Sequence, residues 1–159
     1  MPDTLHALIQ GSSGSGKTHL LVKVSSFIPD EDVKRFTRVT ESSFYNYGQY
    51  DLQNKLICLE DLDGMKEEAQ LAFRELQSRE MLSSSTTGQD EKGNNRAYEK
   101  IVYGPIASMA CTTKGEIYED NMSRCFLIAV DETQEQTQQI IQYQNKKASG
   151  KIDSREEKK

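Results

Sequence analysis

The sequence predicts an α/β layered domain with a mostly parallel sheet, and two observations predict it. Short apolar runs recur without polar alternation at 5–9 (LHALI), 56–59 (LICL), 106–111 (IASMAC) and 125–130 (CFLIAV). Unbroken runs of this length suit strands buried on both faces, as parallel strands are. Between them lie segments whose apolar residues keep the spacing of a single helix face. Strands alternating with helices give a layered α/β architecture.

Each element follows from its residues. Leu5–Ile9 is an apolar run that stops at glycines, so it reads as a buried strand. After Lys17, residues Leu20, Leu21, Val24, Phe27 and Ile28 recur at helical spacing until Pro29 closes the helix. Arg35–Val39 (RFTRV) alternates weakly and predicts a second strand. Leu56–Leu59, followed at once by acids, has the look of a central strand. Met65, Ala69, Ala72, Phe73 and Leu76 mark one face of the next helix. From Met81 to Tyr103 two strand-like arms flank a Gly/Asn-rich turn, which predicts a long hairpin. The last two apolar runs predict two further buried strands, and the Gln-rich stretch from Thr133 to Lys147 predicts a weakly amphipathic helix.

At 159 residues the chain is long enough for one domain with a real core. A net charge of −5 and a pI near 5.1 argue against a generally adhesive nucleic-acid binder, so any such contact must come from a local basic feature. Met1-Pro2-Asp3 begins no signal peptide, and no apolar run approaches membrane-spanning length. A cytoplasmic location with no membrane contact is expected. Cys58, Cys111 and Cys125 lie in or beside apolar runs without metal-ligand spacing, and are expected to be reduced core residues. The charged end of the chain, 148–159, is expected to be a disordered tail on a piece of a longer polypeptide.

Gly11-Ser12-Ser13-Gly14-Ser15-Gly16-Lys17-Thr18 fits the phosphate-loop pattern G-x-x-x-x-G-K-[ST] at every defined position. Glycines let backbone N–H groups turn inward around an anion, and the following helix adds the positive end of its dipole. In this pattern Lys17 reaches the β and γ phosphates and the Thr18 hydroxyl takes Mg²⁺. His19 follows on the first helical turn and is counted with the nucleotide contacts. The second half of a nucleoside triphosphatase is an acid at the end of another buried strand, and Glu60-Asp61 supply it. Glu60 then holds the Mg²⁺ through water and Asp61 acts as base on the attacking water. The alternative puts Asp61 on the metal and Asp63 as base.

With these residues in hand a family resemblance emerges. Leu59–Met65 (LEDLDGM) resembles the I-D-E-F-D-K-M stretch of the minichromosome maintenance helicases, members of the AAA+ ATPases. Asn121–Asp131 (NMSRCFLIAVD) is similar to their L-L-S-R-F-D-L-I-F-V segment. The same features resemble the ATPase part of primase–helicases carried by phages and integrating elements. The resemblance implies a three-layer P-loop NTPase of AAA+ type, with a mostly parallel five-stranded sheet and a hairpin insertion before the sensor strand. Its implied limits are 1–132 for the ATPase core, with the hairpin at 81–103, and 133–147 for a helix leading to a lid outside the chain.

Several roles follow from the resemblance. Arg124, beside Ser123, takes the place of an arginine finger acting on ATP held by the neighbouring subunit. Thr113, or its neighbour Thr112, takes the place of the polar sensor that orients the attacking water. Lys92 and Arg96 flank the hairpin tip, where the family touches DNA. The implied activity is ATP hydrolysis with Mg²⁺ in a replication helicase or primase–helicase. The implied partners are further copies of the chain, six in the parent ring, and single-stranded or forked DNA. A helicase loader or regulator is the alternative, with a small-molecule kinase and an inert nucleotide-binding scaffold behind it.

Overall fold

A computed structural model describes residues 4–89, 93–114 and 124–150. In chain order the elements are β1 (His6–Gln10), α1 (Lys17–Ser25), β2 (Val33–Phe36), β3 (Lys55–Leu59), α2 (Glu67–Arg79), β4 (Met81–Gln89), β5 (Asn95–Tyr103), β6 (Ile106–Thr112), β7 (Phe126–Ala129) and α3 (Gln134–Ala148). Five strands form one sheet in the order β2-β3-β6-β1-β7. Every neighbouring pair in it is parallel. A parallel sheet is covered on both faces, and here α1 packs on one and α2 on the other.

The period-two geometry of a strand explains how one apolar run serves both layers. Ile57 and Leu59 of β3 point into the α2 layer with Ala69, Ala72, Phe73 and Leu76. Leu56 and Cys58 point the other way, into the α1 layer with Leu21, Ile9 and Cys111. Fully burying a side chain of this size contributes about 1.5–3 kcal/mol. The acids Glu67 and Glu68 in the first turn of α2 and Arg79 in its last complement the helix dipole.

The register sets one edge of the sheet as the place for chemistry. Ile9 pairs with Cys111 and Gln10 with Thr112 and Ala129, while Leu59 pairs with Ala110. The C-terminal ends of β1, β3 and β6 therefore open side by side, where ligands of parallel α/β sheets bind.

Several elements differ from the sequence expectation. The second strand is Val33–Phe36, earlier than Arg35–Val39, because Val33 is the buried anchor and pairs with Leu56. The first helix ends at Ser25, before the point that Pro29 suggested, and Phe27 is 88% exposed. The run at 125–130 forms an edge strand, not a buried one: Phe126 is 66% exposed because β7 has a neighbour on one side only. The stretch between β2 and β3 carries core weight that its loop-like composition hides, since Phe44 and Leu52 are fully buried. Phe44 stacks on Phe73 at 5.7 Å and meets Phe36 edge-on at 6.3 Å.

Strands β4 and β5 pair antiparallel from Met81↔Tyr103 to Gln89↔Asn95. Only the base of the pair is anchored, by the buried Leu82 and Val102. Residues 90–92, Lys92 among them, lie outside the described residues. So does Ser123, and so does 151–159, most of the stretch expected to be a tail. Cys58 and Cys111 are buried and Cys125 half-buried, all as free thiols. Burial pushes the Cys111 thiol up to about 11. Among the described residues no helix is long and apolar enough to cross a membrane.

Candidate functional site

The loop between β1 and α1 wraps back on itself around its own lysine. Lys17 Nζ donates to the carbonyls of Gly11 at 2.8 Å and Ser12 at 2.5 Å. That side chain is 9% exposed, so the ammonium is held inside the loop before any ligand arrives. Gly14 and Gly16 have φ of 80° and 95°, in the left-handed region that glycine alone adopts without strain. Gly16 is also the residue that starts α1. With no side chain there to cap the helix, its first N–H groups stay available. Ser15 Oγ is a buried hydroxyl without a hydrogen-bond partner among the described residues. An orphan donor beside an uncapped helix start and one ammonium suits an oxyanion.

The acids stand on the adjoining strand ends. Glu60 follows β3, with its N–H bonded to Phe36 O at 3.1 Å and its carboxylate receiving the Thr37 hydroxyl at 3.4 Å. The thiol of Cys111 lies within electrostatic reach of both Lys17 and Glu60, so cradle and acid flank the end of β6. Asp61 is exposed and accepts the Gly64 N–H at 3.1 Å, closing the turn after the strand. Thr18 and His19 are exposed on the first turn of α1.

Asp63 makes the tightest contacts of the three acids. Its carboxylate receives the Thr112 hydroxyl at 2.7 Å and both the N–H and hydroxyl of Thr113, at 2.7 and 2.9 Å. Burial alone would raise this carboxyl, but those three donors and the Lys114 charge outweigh it and hold it below its ordinary 3.8. Thr112 also accepts the Gly11 N–H through its carbonyl, at 3.3 Å. One residue of β6 thus ties the cradle to the acidic loop.

A second brace joins the cradle to the C-terminal helix. The Glu132 carboxylate accepts the Ser12 N–H, and Val130 N–H bonds to Gln10 O at 2.9 Å. The Ser12 N–H, then the Ser12 hydroxyl and the Lys17 charge, keep Glu132 below its ordinary value. Thr133 next to it caps α3 by accepting the Gln136 N–H at 3.3 Å. Nothing in the sequence pattern singled out Glu132, since an acid after a strand is common. The D-x-D spacing of Asp61 and Asp63 was a visible signal, though not for a clamp on threonines.

The predicted residues therefore fall into three groups. Gly11 to His19, Glu60, Asp61, Thr112 and Thr113 converge at one edge of the sheet. Arg124 lies at the opposite edge, just before β7, whose Ala129 end is the one beside Gln10. Arg96 is exposed on β5, apart from both.

The site also fits a hydrated divalent cation held largely by phosphate. Among the described residues no group of three or more metal-ligating side chains gathers. Mg²⁺ commonly takes one or two protein ligands and completes its shell with phosphate oxygens and water, and Thr18 and Glu60 are the residues that would hold it.

Comparison with known proteins agrees with this geometry. Comparison with curated proteins gives no match. The family described as the MTBMA_p00010 P-loop domain matches residues 1–159, the whole chain. P-loop domains bind nucleotide and generally do so with Mg²⁺. With the cradle, the parallel sheet and that match together, the chain belongs to the MTBMA_p00010 P-loop domain family.

Proposed function

We propose that the chain is the ATP-binding and ATP-hydrolysing core of a DNA replication helicase or primase–helicase that works as a ring with shared active sites. The observation that carries this reading is the placement of β6 between β1 and β3. With β6 there, Thr112 and Thr113 end between the strands that carry the cradle and Glu60-Asp61, which supports reading them as the polar groups that orient the attacking water.

Bound Mg–ATP supplies the phosphoanhydride to be broken and a cation that spreads its charge. Lys17, buried in the loop and held by two of its carbonyls, neutralises the β and γ phosphates. Thr18 and Glu60 would hold the cation, which would spread the charge on the phosphates. Asp61, whose carboxylate accepts a single N–H among the described residues, takes the proton of the attacking water. Asp63 is less suited, because three donors already stabilise its carboxylate and weaken it as a base.

Arg124 supports action between subunits rather than within one. At the far edge of the sheet it is a strand's length from its own cradle, so a neighbouring copy's triphosphate is its natural target. The antiparallel β4–β5 arm, anchored at its base and exposed beyond, is the element that would meet DNA through Arg96 and Lys92.

The test is complementation in ATP turnover. Lys17→Ala removes the cradle charge and Arg124→Ala removes the finger, so each variant alone is expected to be inactive. Mixing them is expected to restore part of the turnover, because mixed interfaces pair an intact cradle with an intact finger. Single-stranded DNA is expected to raise the rate further. No recovery on mixing would overturn the shared site. Recovery without a DNA response would favour a loader or regulator.

A further inference from the structure

Helix α3 does more than leave the sheet: it forms the second wall of a cleft that begins at the phosphate cradle. Gly14, Ser15, Gly16 and His19 line one side of this cleft, and Gln139, Ile140, Tyr143, Gln144 and Lys147 the other. Its volume is about 600 Å³, within the usual range for small-molecule sites. We propose that the Ile140–Tyr143 face of α3 receives the base of the nucleoside triphosphate whose phosphates sit on Gly14–Thr18. This rests on the cradle reading and extends it to the other end of the ligand.

Three observations carry it. Ile140 and Tyr143 are three residues apart on α3, hence neighbours on one helix face, and they are 44% and 41% exposed. A flat apolar and aromatic surface opening beside a phosphate site matches the one part of a nucleotide that is flat and apolar. Gln139 and Gln144 flank that surface, each offering an amide donor and an acceptor for the base edge.

The third observation is that the segment leading into α3 is tied to the cradle. Glu132 bonds to the Ser12 N–H, Val130 to Gln10, and Thr133 caps the helix start. A triphosphate seated on the loop brings its nucleoside toward the cleft beside α3.

The experiment compares ATP with inorganic tripolyphosphate, which has the phosphates but no nucleoside. Calorimetric titration of the full chain in Mg²⁺ buffer is run on the wild type, Tyr143→Ala, Tyr143→Phe and Ile140→Ser. Tyr143→Ala is expected to weaken ATP about five- to a hundredfold, the range for losing one base–aromatic stack. Its tripolyphosphate affinity is expected to stay unchanged. Tyr143→Phe keeps the ring and should match the wild type, while Ile140→Ser should show a smaller loss, again for ATP alone. Equal weakening of both ligands, or of neither, overturns the α3 wall and leaves the cradle standing. If neither ligand binds the wild-type chain, the cradle reading itself fails and the wall falls with it.

Discussion

Asp63 Oδ2 receives two hydrogen bonds from Thr113, its N–H at 2.7 Å and its hydroxyl at 2.9 Å. Its Oδ1 receives the hydroxyl of the buried Thr112 at 2.7 Å. An acid one turn beyond the strand end thus fixes the two threonines that sit between cradle and acids. Asp63→Ala leaves those donors without their acceptor and is expected to destabilise the fold by about 1–3 kcal/mol, the range for orphaned groups near a charge. Asp63→Asn keeps one acceptor oxygen and should lose less. Urea denaturation at pH 7 checks the ranking. If Asp63→Ala is fully stable yet inactive, Asp63 is the base and not the clamp.

The pH dependence of stability should have an early step traceable to His6. Its ring is 5% exposed and bonds Ser108 Oγ at 2.9 Å, and burial holds its pKa below 6.5. A histidine depressed on folding favours the fold in its neutral form. Its contribution is present above pH 6.5 and is lost as pH falls below that value. The urea midpoint is therefore expected to drop between pH 7 and 5, and His6→Gln should flatten that drop. The depressed Asp63 contributes in a separate window, lost only below about pH 3.8. An unchanged slope in His6→Gln would show that another group titrates there.

Gly16→Ala is expected to damage the cradle more than the fold. A Cβ at Gly16 meets nothing within 4 Å, so space is not the obstacle. The obstacle is φ of 95°, which an L-residue adopts at a cost of about 1–2 kcal/mol or leaves altogether. Relaxing it would swing the first N–H groups of α1 away from the anion position. Tripolyphosphate binding is expected to fall by tenfold or more while far-UV circular dichroism is unchanged. Retained binding would mean that these N–H groups do not carry the anion.

Phe44 offers a test of the core that the loop composition conceals. It is fully buried between Phe73 and Phe36, so Phe44→Ala removes a large volume where both neighbours belong to fixed elements. About 3–5 kcal/mol of stability should be lost. Thermal and urea unfolding measure this directly. A loss below about 1 kcal/mol would mean that the segment between β2 and β3 collapses readily onto the gap.

The sequence by itself determined the layered α/β class, the cradle and the acids beside it. Those features are local: a glycine-rich loop between an apolar run and a helix reports its chemistry wherever the chain goes. It also marked the β4 and β5 arms, whose pattern changes abruptly after Arg79. Only the tertiary structure decided what lies between and opposite these parts. Strand order is a long-range choice, and with β6 beside β1 the Thr112 carbonyl reaches Gly11 while its hydroxyl reaches Asp63. The edge position of β7 exposes a run that composition alone would bury. Glu132 is 120 residues from Ser12 along the chain, and only the pairing of β7 beside β1 makes them neighbours. Local patterns encode which chemistry a segment is able to do, while partners across such separations are set by the packing of the whole core.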